Sequence, residues 1–81
     1  MRICILCEDS KLSQVREKLG KSNVLSIPVS ESGMKPATHW FCTMAVTEEK
    51  ANSLLAKKEL TEMEIAHPLE FLEARNLKMI R

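Results

Sequence analysis

The sequence of 81 residues has few glycines, few aromatic residues and almost no net charge, and each shortage argues against a class of protein. Its two glycines, Gly20 and Gly33, are too far apart to form a phosphate-binding loop, which needs several glycines close together. The 12 Lys and Arg residues are balanced by 11 Asp and Glu residues. The chain therefore lacks the basic excess that is typical of nucleic-acid-binding domains.

Long apolar runs are also absent. No run approaches the ~18 residues of a membrane span, and the first one, Ile3–Cys7, stops too early for the hydrophobic region of a signal peptide. Three cysteines without an export signal fit reduced thiols better than a disulfide framework. We therefore expect one cytoplasmic domain over residues 1–81, too small for a deep pocket to form easily.

The stretch Ala37–Val46 contains the only tryptophan and has the pattern of a central β-strand. Alternation along a strand places Trp40 and Met44 on one face and Phe41 on the other. Because both faces carry apolar side chains, we expect this strand in the middle of a sheet. Ile3–Cys7, which is too short for a core helix, is the predicted neighbouring strand.

Helix caps, turn residues and periodicity predict the other elements. The predicted elements are, in chain order, a strand at Ile3–Cys7, a helix capped by Asp9 or Ser10 and ended by Gly20, a strand at Asn23–Val29, the strand at Ala37–Val46, a helix from the Thr47 cap to Lys57 and Lys58, a strand at Thr61–Ile65, a helix at Pro68–Ala74 and a strand at Leu77–Ile80. Asn76 is predicted in a left-handed cap conformation.

This order predicts an α+β fold, a ferredoxin-like βαββαβ sandwich with an extra C-terminal helix and strand. Such a sheet has its first and third strands in the centre. Pro28 cannot donate a ladder hydrogen bond, so its strand is predicted at a sheet edge. Met63 and Ile65 are predicted to point inward, and Leu69 is predicted to pack the last helix. In the main alternative, Thr61–Ile65 continues the preceding helix.

The cysteine and histidine residues form the most specific candidate for a metal site. The candidate zinc ligands are Cys4, Cys7, His39 and Cys42. Residues three apart on a strand point to opposite faces, so neither pair can converge on one metal ion. We therefore expect buried, reduced thiols and no metal or cofactor.

Two other functions remain as alternatives. A small thiol-dependent enzyme would need Cys42 beside a base, and because His39 points to the opposite face, only His67 is left for that role. A single-stranded RNA-binding module would stack bases on Trp40 or Phe41, but these two residues lie on opposite faces and lack a basic surrounding.

A protein-binding role follows from the predicted sheet. Two helices on one side would leave the other side uncovered, and exposed apolar patches often mark partner surfaces. The helix at Pro68–Ala74 could instead cover that side. The glutamates of the second half form a locally acidic surface that could dock on a basic partner.

Four parts of the sequence also carry a resemblance: Val24–Ser30, Gly33, Pro36–Cys42 and Phe71–Lys78. They resemble small uncharacterised proteins of bacteriophages and prophages. This resemblance brings no catalytic motif. It implies a protein that binds a host or virion protein, as the anti-CRISPR inhibitors of bacterial defence complexes do, although fold alone does not fix function.

Together these observations predict a non-enzymatic protein-binding module that acts on a larger protein or as a homodimer. No cofactor, membrane contact or nucleic acid is expected. The predicted partner-binding residues are Trp40, Met44, Glu31, Met34, Lys35, Glu59, Glu62 and Glu64. The first two depend on an open sheet face, because aromatic anchors carry interface energy only where they are accessible.

Overall fold

A computed structural model describes residues 1–21, 23–57 and 59–81. In these ranges the chain is an α+β structure with one five-stranded antiparallel sheet and three α-helices. The elements are β1 (Arg2–Cys7), a 3-10 turn (Asp9–Lys11), α1 (Leu12–Leu19), β2 (Leu25–Ser30), β3 (His39–Ala45), α2 (Glu48–Lys57), β4 (Met63–Ile65), α3 (Pro68–Glu73) and β5 (Lys78–Met79). No helix in the described ranges is long and apolar enough to cross a membrane.

The strand order is β4-β1-β3-β2-β5, and all neighbouring strands are antiparallel. The longest ladder joins β1 to β3, from Arg2 opposite Ala45 to Cys7 opposite Trp40. Both strands have neighbours on each side, which confirms the central positions predicted from their apolar residues. The alternative in which Thr61–Ile65 continues the preceding helix is wrong, because α2 ends at Lys57 and β4 pairs with β1.

Helices α1 and α2 cover one face of the sheet. Residues of β1 and β3 on this face pack against Val15 and Leu19 of α1 and Ala51 of α2. The buried members from the two strands are Ile3, Ile5, Cys7, Cys42 and Met44. The apolar residues of each helix, spaced three and four apart, therefore form the side that faces the sheet.

Helix α3 lies on the opposite face. Its Phe71 and Leu72 pack with Cys4, Phe41 and Val29 of the sheet. The rings of Phe71 and Phe41 meet edge to face, with centroids 5.6 Å apart and an interplanar angle of 71°. This cover confirms that the last helix packs on the sheet, and it rules out a fully open face in the described chain.

Most predicted caps are confirmed. Gly20 ends α1 with a left-handed φ of 93°, and Thr47 Oγ1 accepts a hydrogen bond from the Lys50 amide at 3.2 Å. Asn76 has a positive φ of 56°, and Pro68 lies in the first turn of α3. Lys58, predicted in the last turn of α2, lies outside the described residues.

The predicted cap of α1 is wrong. Neither Asp9 nor Ser10 caps the helix, because both belong to the 3-10 turn that precedes it, and Lys11 occupies the cap position without a side-chain hydrogen bond. The Asp9 carboxylate instead binds a side chain of β3, because Asp9 Oδ1 accepts a hydrogen bond from Trp40 Nε1 at 2.7 Å.

The edge position predicted for β2 is wrong over half of its length. Strand β5 pairs with Val29 and Ser30, and the Pro28 carbonyl accepts a hydrogen bond from the Ile80 amide at 3.2 Å. The two backbone groups of a strand residue face the same side, so the proline nitrogen also faces β5 and takes no donor from the β3 ladder. Only Leu25–Ile27 remains at an edge.

Two predicted inward positions are also wrong. Leu69 is 55% exposed, because α3 turns Phe71 and Leu72 toward the sheet and leaves Leu69 beside them. Ile65 is 40% exposed, because β4 is the outermost strand and has a neighbour only on its β1 side.

Candidate functional site

The predicted anchors Trp40 and Met44 lie on the helix-covered face. Met44 is 5% exposed and belongs to the core under α1 and α2, so a partner cannot reach it in this structure. Trp40 is half-buried against the same core, and its indole is held by Asp9. The premise that this face is open is wrong, since two helices cover it.

The opposite face is covered only in part. Over the β4 side, the Arg75 guanidinium lies 3.7 Å from the centroid of the Phe71 ring. It also forms ion pairs with Glu62, at 3.3 Å from Nε, and with Glu64, at 3.2 Å from one terminal nitrogen. Helix α3 and the ion pairs of Arg75 therefore cover this face of the sheet from β1 to β4.

These contacts divide the predicted acidic set. Glu62 and Glu64 share Arg75, so one of their two negative charges is compensated by this ion pairing. Glu59 is exposed, and its carbonyl accepts a hydrogen bond from Lys18 Nζ at 3.3 Å. The three carboxylates therefore do not form one uncompensated acidic surface.

Apolar side chains remain exposed on the β2 side of the same face. Residues opposite each other in a ladder share a face, so Leu25 lies with Thr43, Ile27 with Phe41, and Met79 with Val29. Leu25 is 55% exposed, Met79 is 48% exposed and Ile27 is half-buried.

Helix α3 has one further exposed apolar residue. Leu69 lies one turn before the buried Leu72 and is 55% exposed. We name the three residues Leu25, Ile27 and Met79 the β2 patch.

The backbone beside the β2 patch is also open. Pro28 faces β5, and alternate strand residues face the same side, so the N–H and C=O groups of Ser26 point away from β3. Within the described residues, no strand pairs with β2 on this side along Leu25–Ile27. This segment therefore presents an unpaired strand edge next to exposed apolar side chains.

The predicted loop residues lie next to the β2 patch. Ser30 Oγ donates a hydrogen bond to the Met34 carbonyl at 2.8 Å, and the Gly33 carbonyl accepts one from the Arg81 amide at 3.1 Å. Gly33 has a φ of 73°, and a Cβ there would lie only 3.2 Å from Lys78 Cβ. The loop is thus held against β5.

This packing leaves the side chains of the predicted loop exposed. Met34 is 65% exposed, and Glu31 and Lys35 are exposed as well. The structure therefore places Met34 and Lys35 on a loop that contacts β5, whereas Glu31 lines an open cavity with Leu6, His39 and Arg75.

Four cations lie near β2. Arg16 donates a hydrogen bond to Ser26 Oγ at 3.4 Å, on the helix-covered face of the sheet, because Ser26 lies opposite Cys42. Lys35 follows Met34, and Lys78 and Arg81 flank Met79 and the residue after it. None of the four forms an ion pair within the described ranges, and Glu31 is the acidic residue of the adjoining loop.

The thiols are buried and poorly suited to nucleophilic chemistry. Burial raises the pKa of the Cys4 thiol above its ordinary value. Burial and the neighbouring Cys42 raise the pKa of Cys7 to about 12. A nucleophilic cysteine needs the opposite shift, because the thiolate is the reactive form.

The predicted separation of the metal-type residues is confirmed. Cys4 faces α3, whereas Cys7 and Cys42 face α1 and α2. His39 lies on the opposite face of β3 from Cys42, and His67 precedes α3 as its cap residue. No group of three or more His, Cys, Asp or Glu side chains is placed to hold a metal ion among the described residues.

An open cavity of about 310 Å³ lies at the end of β1, between α1 and residues 59–62. Its polar lining includes Lys11, Gln14 and Glu59, and Lys18 there already donates to the Glu59 carbonyl. His39 also reaches this cavity, and its Nδ1 atom is buried without a hydrogen-bond partner in the described part of the chain. Among the described residues, the Glu, His and Cys side chains of this lining form no cluster that could hold a metal ion.

Comparison with known proteins gives no independent assignment. No family model matches the sequence, and neither the curated proteins nor the solved structures contain a match.

The sequence prediction missed the members of the β2 patch. The alternation of Leu25 and Ile27 was visible in the sequence as a strand signal, but nothing showed which face of that strand would remain uncovered.

Proposed function

We propose that the protein is a non-enzymatic protein-binding module and that the β2 patch is its main contact surface. The supporting observation is the half-covered sheet face, where Leu25 and Met79 are each about half exposed. Exposed apolar groups gathered on one side of a small domain often mark an interaction site. In this proposal the exposed Met34 and Lys35, on the loop that contacts β5, form the rim of this contact.

The geometry gives less support to the two alternatives. An RNA platform needs exposed aromatic rings, but Phe41 and Phe71 are buried and Trp40 is held by Asp9 on the helix side. A thiol enzyme would use Cys42 and needs an accessible thiolate, whereas Cys42 is 0% exposed in the core under α1 and α2.

The finer fold assignment and the cellular context belong to the same proposal. We propose a ferredoxin-like sandwich extended by α3 and β5, and the strand order β4-β1-β3-β2 supports it. We further propose a cytoplasmic protein that binds a host or bacteriophage protein, on the basis of the resemblance noted in the sequence. A second copy of the chain is the alternative occupant of the patch.

The proposal can be tested by placing a photo-reactive amino acid at position 25 in the producing cells. Illumination should link the chain to a specific protein through position 25, and Met79→Glu should abolish the product. The matched control is the same amino acid at Lys50, an exposed position of α2 that lies outside the β2 patch. Equal products from positions 25 and 50, or none from position 25, would refute the proposal.

A further inference from the structure

We propose that the occupant of the β2 patch is an extended, acidic polypeptide segment that adds to the open edge of β2. This inference rests on the proposed function and specifies the partner's chemistry. The partner segment would supply carboxylates to the surrounding cations and apolar side chains to the β2 patch.

The open backbone favours an extended segment. Ser26 presents one N–H and one C=O group on the free side of β2, next to the exposed Leu25. Such an edge can accept a further strand, in which main-chain hydrogen bonds give affinity and alternate side chains give specificity. The ladder would be short, because Ile80 already occupies the position opposite Pro28.

The surrounding charge favours an acidic segment. Arg16 contacts Ser26 at the open edge, and Lys78, opposite Ser30, lies on the same helix-covered face. A partner strand would therefore turn its carboxylates to that face and its apolar side chains to the β2 patch. Lys35 and Arg81 belong to the loop and the C-terminal segment, which contact each other beside β5. These cations have no ion-pair partners within the described residues, so an incoming carboxylate does not have to displace an internal one. Charge complementarity of this kind sets partner choice and the rate of encounter.

The same charges make other occupants less suitable. A second copy bound edge to edge would bring two sets of these cations together around a two-fold axis. RNA would satisfy the cations, but the β2 patch offers aliphatic side chains and no aromatic ring on which bases could stack.

The test uses three fluorescent peptides of equal length with alternating sequence, in which valine is paired with glutamate, serine or lysine. Binding to the purified chain is measured by fluorescence anisotropy. We expect the glutamate peptide to bind about tenfold more tightly than the serine peptide at low salt, to lose that advantage at high salt, and the lysine peptide not to bind. The double variant Lys78→Glu with Arg81→Glu should remove the preference.

Two matched variants separate charge from strand addition. Ser26→Pro removes the outward N–H but leaves the β3 ladder intact, whereas Ser26→Ala loses only the hydroxyl and keeps that donor. Lys50→Glu with Lys57→Glu on α2 repeats the charge change away from the patch. We expect Ser26→Pro to weaken binding of the glutamate peptide at least severalfold, and the other two variants to bind normally.

Three outcomes would overturn the inference. The first is equal, salt-insensitive binding of the serine and glutamate peptides. The second is equal binding by the Ser26→Pro and Ser26→Ala variants. The third is tighter binding of a single-stranded uridine oligonucleotide, or self-association of the chain by sedimentation. If any of these occurs while position 25 still crosslinks to another protein in cells, the proposed function stands and only the acidic strand is refuted.

Discussion

Compared with the β2 edge of the sheet, the β4 edge is short and well protected. β4 has three residues, and Arg75 holds Glu62 and Glu64 over it beside the cover of α3. At the other edge, no strand lies alongside Leu25–Ile27 in the described chain, and Leu25, on the face away from α1, is 55% exposed. Charged side chains on edge strands are a common protection against unwanted pairing.

The difference indicates where the chain tolerates an unprotected surface. An apolar, unpaired edge favours unwanted association, and its retention along Leu25–Ile27, without the ion pairs of the β4 edge, is understandable if that segment has a partner.

Removing the cover on the β4 side should destabilise the fold most. Phe71→Ala deletes a ring that is 1% exposed and packs on Phe41, so we expect a loss of ~3–5 kcal/mol in the free energy of unfolding. Urea denaturation followed by Trp40 fluorescence measures it. The control Leu69→Ala, in the same helix, should cost about 0.5 kcal/mol or less. Similar losses in both variants would mean that α3 does not cover the sheet as described.

Changing the open edge should affect binding more than stability. Leu25→Glu places a charge in the centre of the contact, and we expect partner binding to weaken by ~2 kcal/mol or more, as measured by titration calorimetry with the crosslinked protein. The urea midpoint should barely move, because the side chain is mostly exposed. Ile65→Glu, at the β4 edge, is the matched control and should leave binding unchanged. Weakened binding in both variants would remove the distinction between the edges.

Removing the ion pairs that Arg75 forms with Glu62 and Glu64 should have a smaller effect on the free energy of unfolding. Arg75→Met removes two ion pairs and the contact of the guanidinium with Phe71, and we expect a loss of about 1 kcal/mol in stability that shrinks at high salt. Lys21→Met, which removes only the exposed pair with Glu17, should change stability very little. A larger loss for Lys21→Met would show that the β4 edge does not depend on Arg75.

The buried thiols of the central strand β1 should react slowly with alkylating reagents. Because burial raises the pKa of Cys4 and Cys7, both thiols should be alkylated slowly at neutral pH, and faster as the pH rises. Mass spectrometry after iodoacetamide treatment measures each rate against the unfolded protein in urea. Rapid native labelling of Cys4 would mean that the cover over β1 opens readily.

The raised pKa of Cys7 also determines how the stability of the fold changes with pH. Its folded value of about 12 lies above the ordinary value of 9.0, so above pH 9 the unfolded chain releases this proton first. Stability should therefore be unaffected by this thiol below pH 9 and should fall as the pH rises from 9 toward 12. Cys7→Ala should reduce that dependence in urea titrations at several pH values.

Local signals in the sequence predicted much of the sheet and its helices. The apolar residues on both faces of β1 and β3 placed these strands in the centre. Gly20 and Thr47 marked helix ends because their effects on the backbone are local. Contacts between distant residues could not be predicted in this way. The bond from Trp40 to Asp9 and the position of Arg75 over Phe71 depend on how the elements pack.

The candidate site was predicted only in part for the same reason. Met34 was assigned correctly to an exposed loop, whereas Met44 was offered as a contact and is buried under the helices. Periodicity shows that a strand has two faces, but the extent of α3 decides which part of a face stays open. Leu25 and Met79 become neighbours of one surface only through the pairing of β2 with β5 and β3.

The most direct test of the difference between the edges uses one photo-reactive amino acid at two exposed apolar positions, Leu25 on β2 and Ile65 on β4. These side chains are 55% and 40% exposed, so both are accessible to a partner. We predict a specific crosslinked protein from position 25 and none from position 65. Equal crosslinking from the two edges, or a product from position 65 alone, would contradict the assignment of the β2 patch as the binding surface.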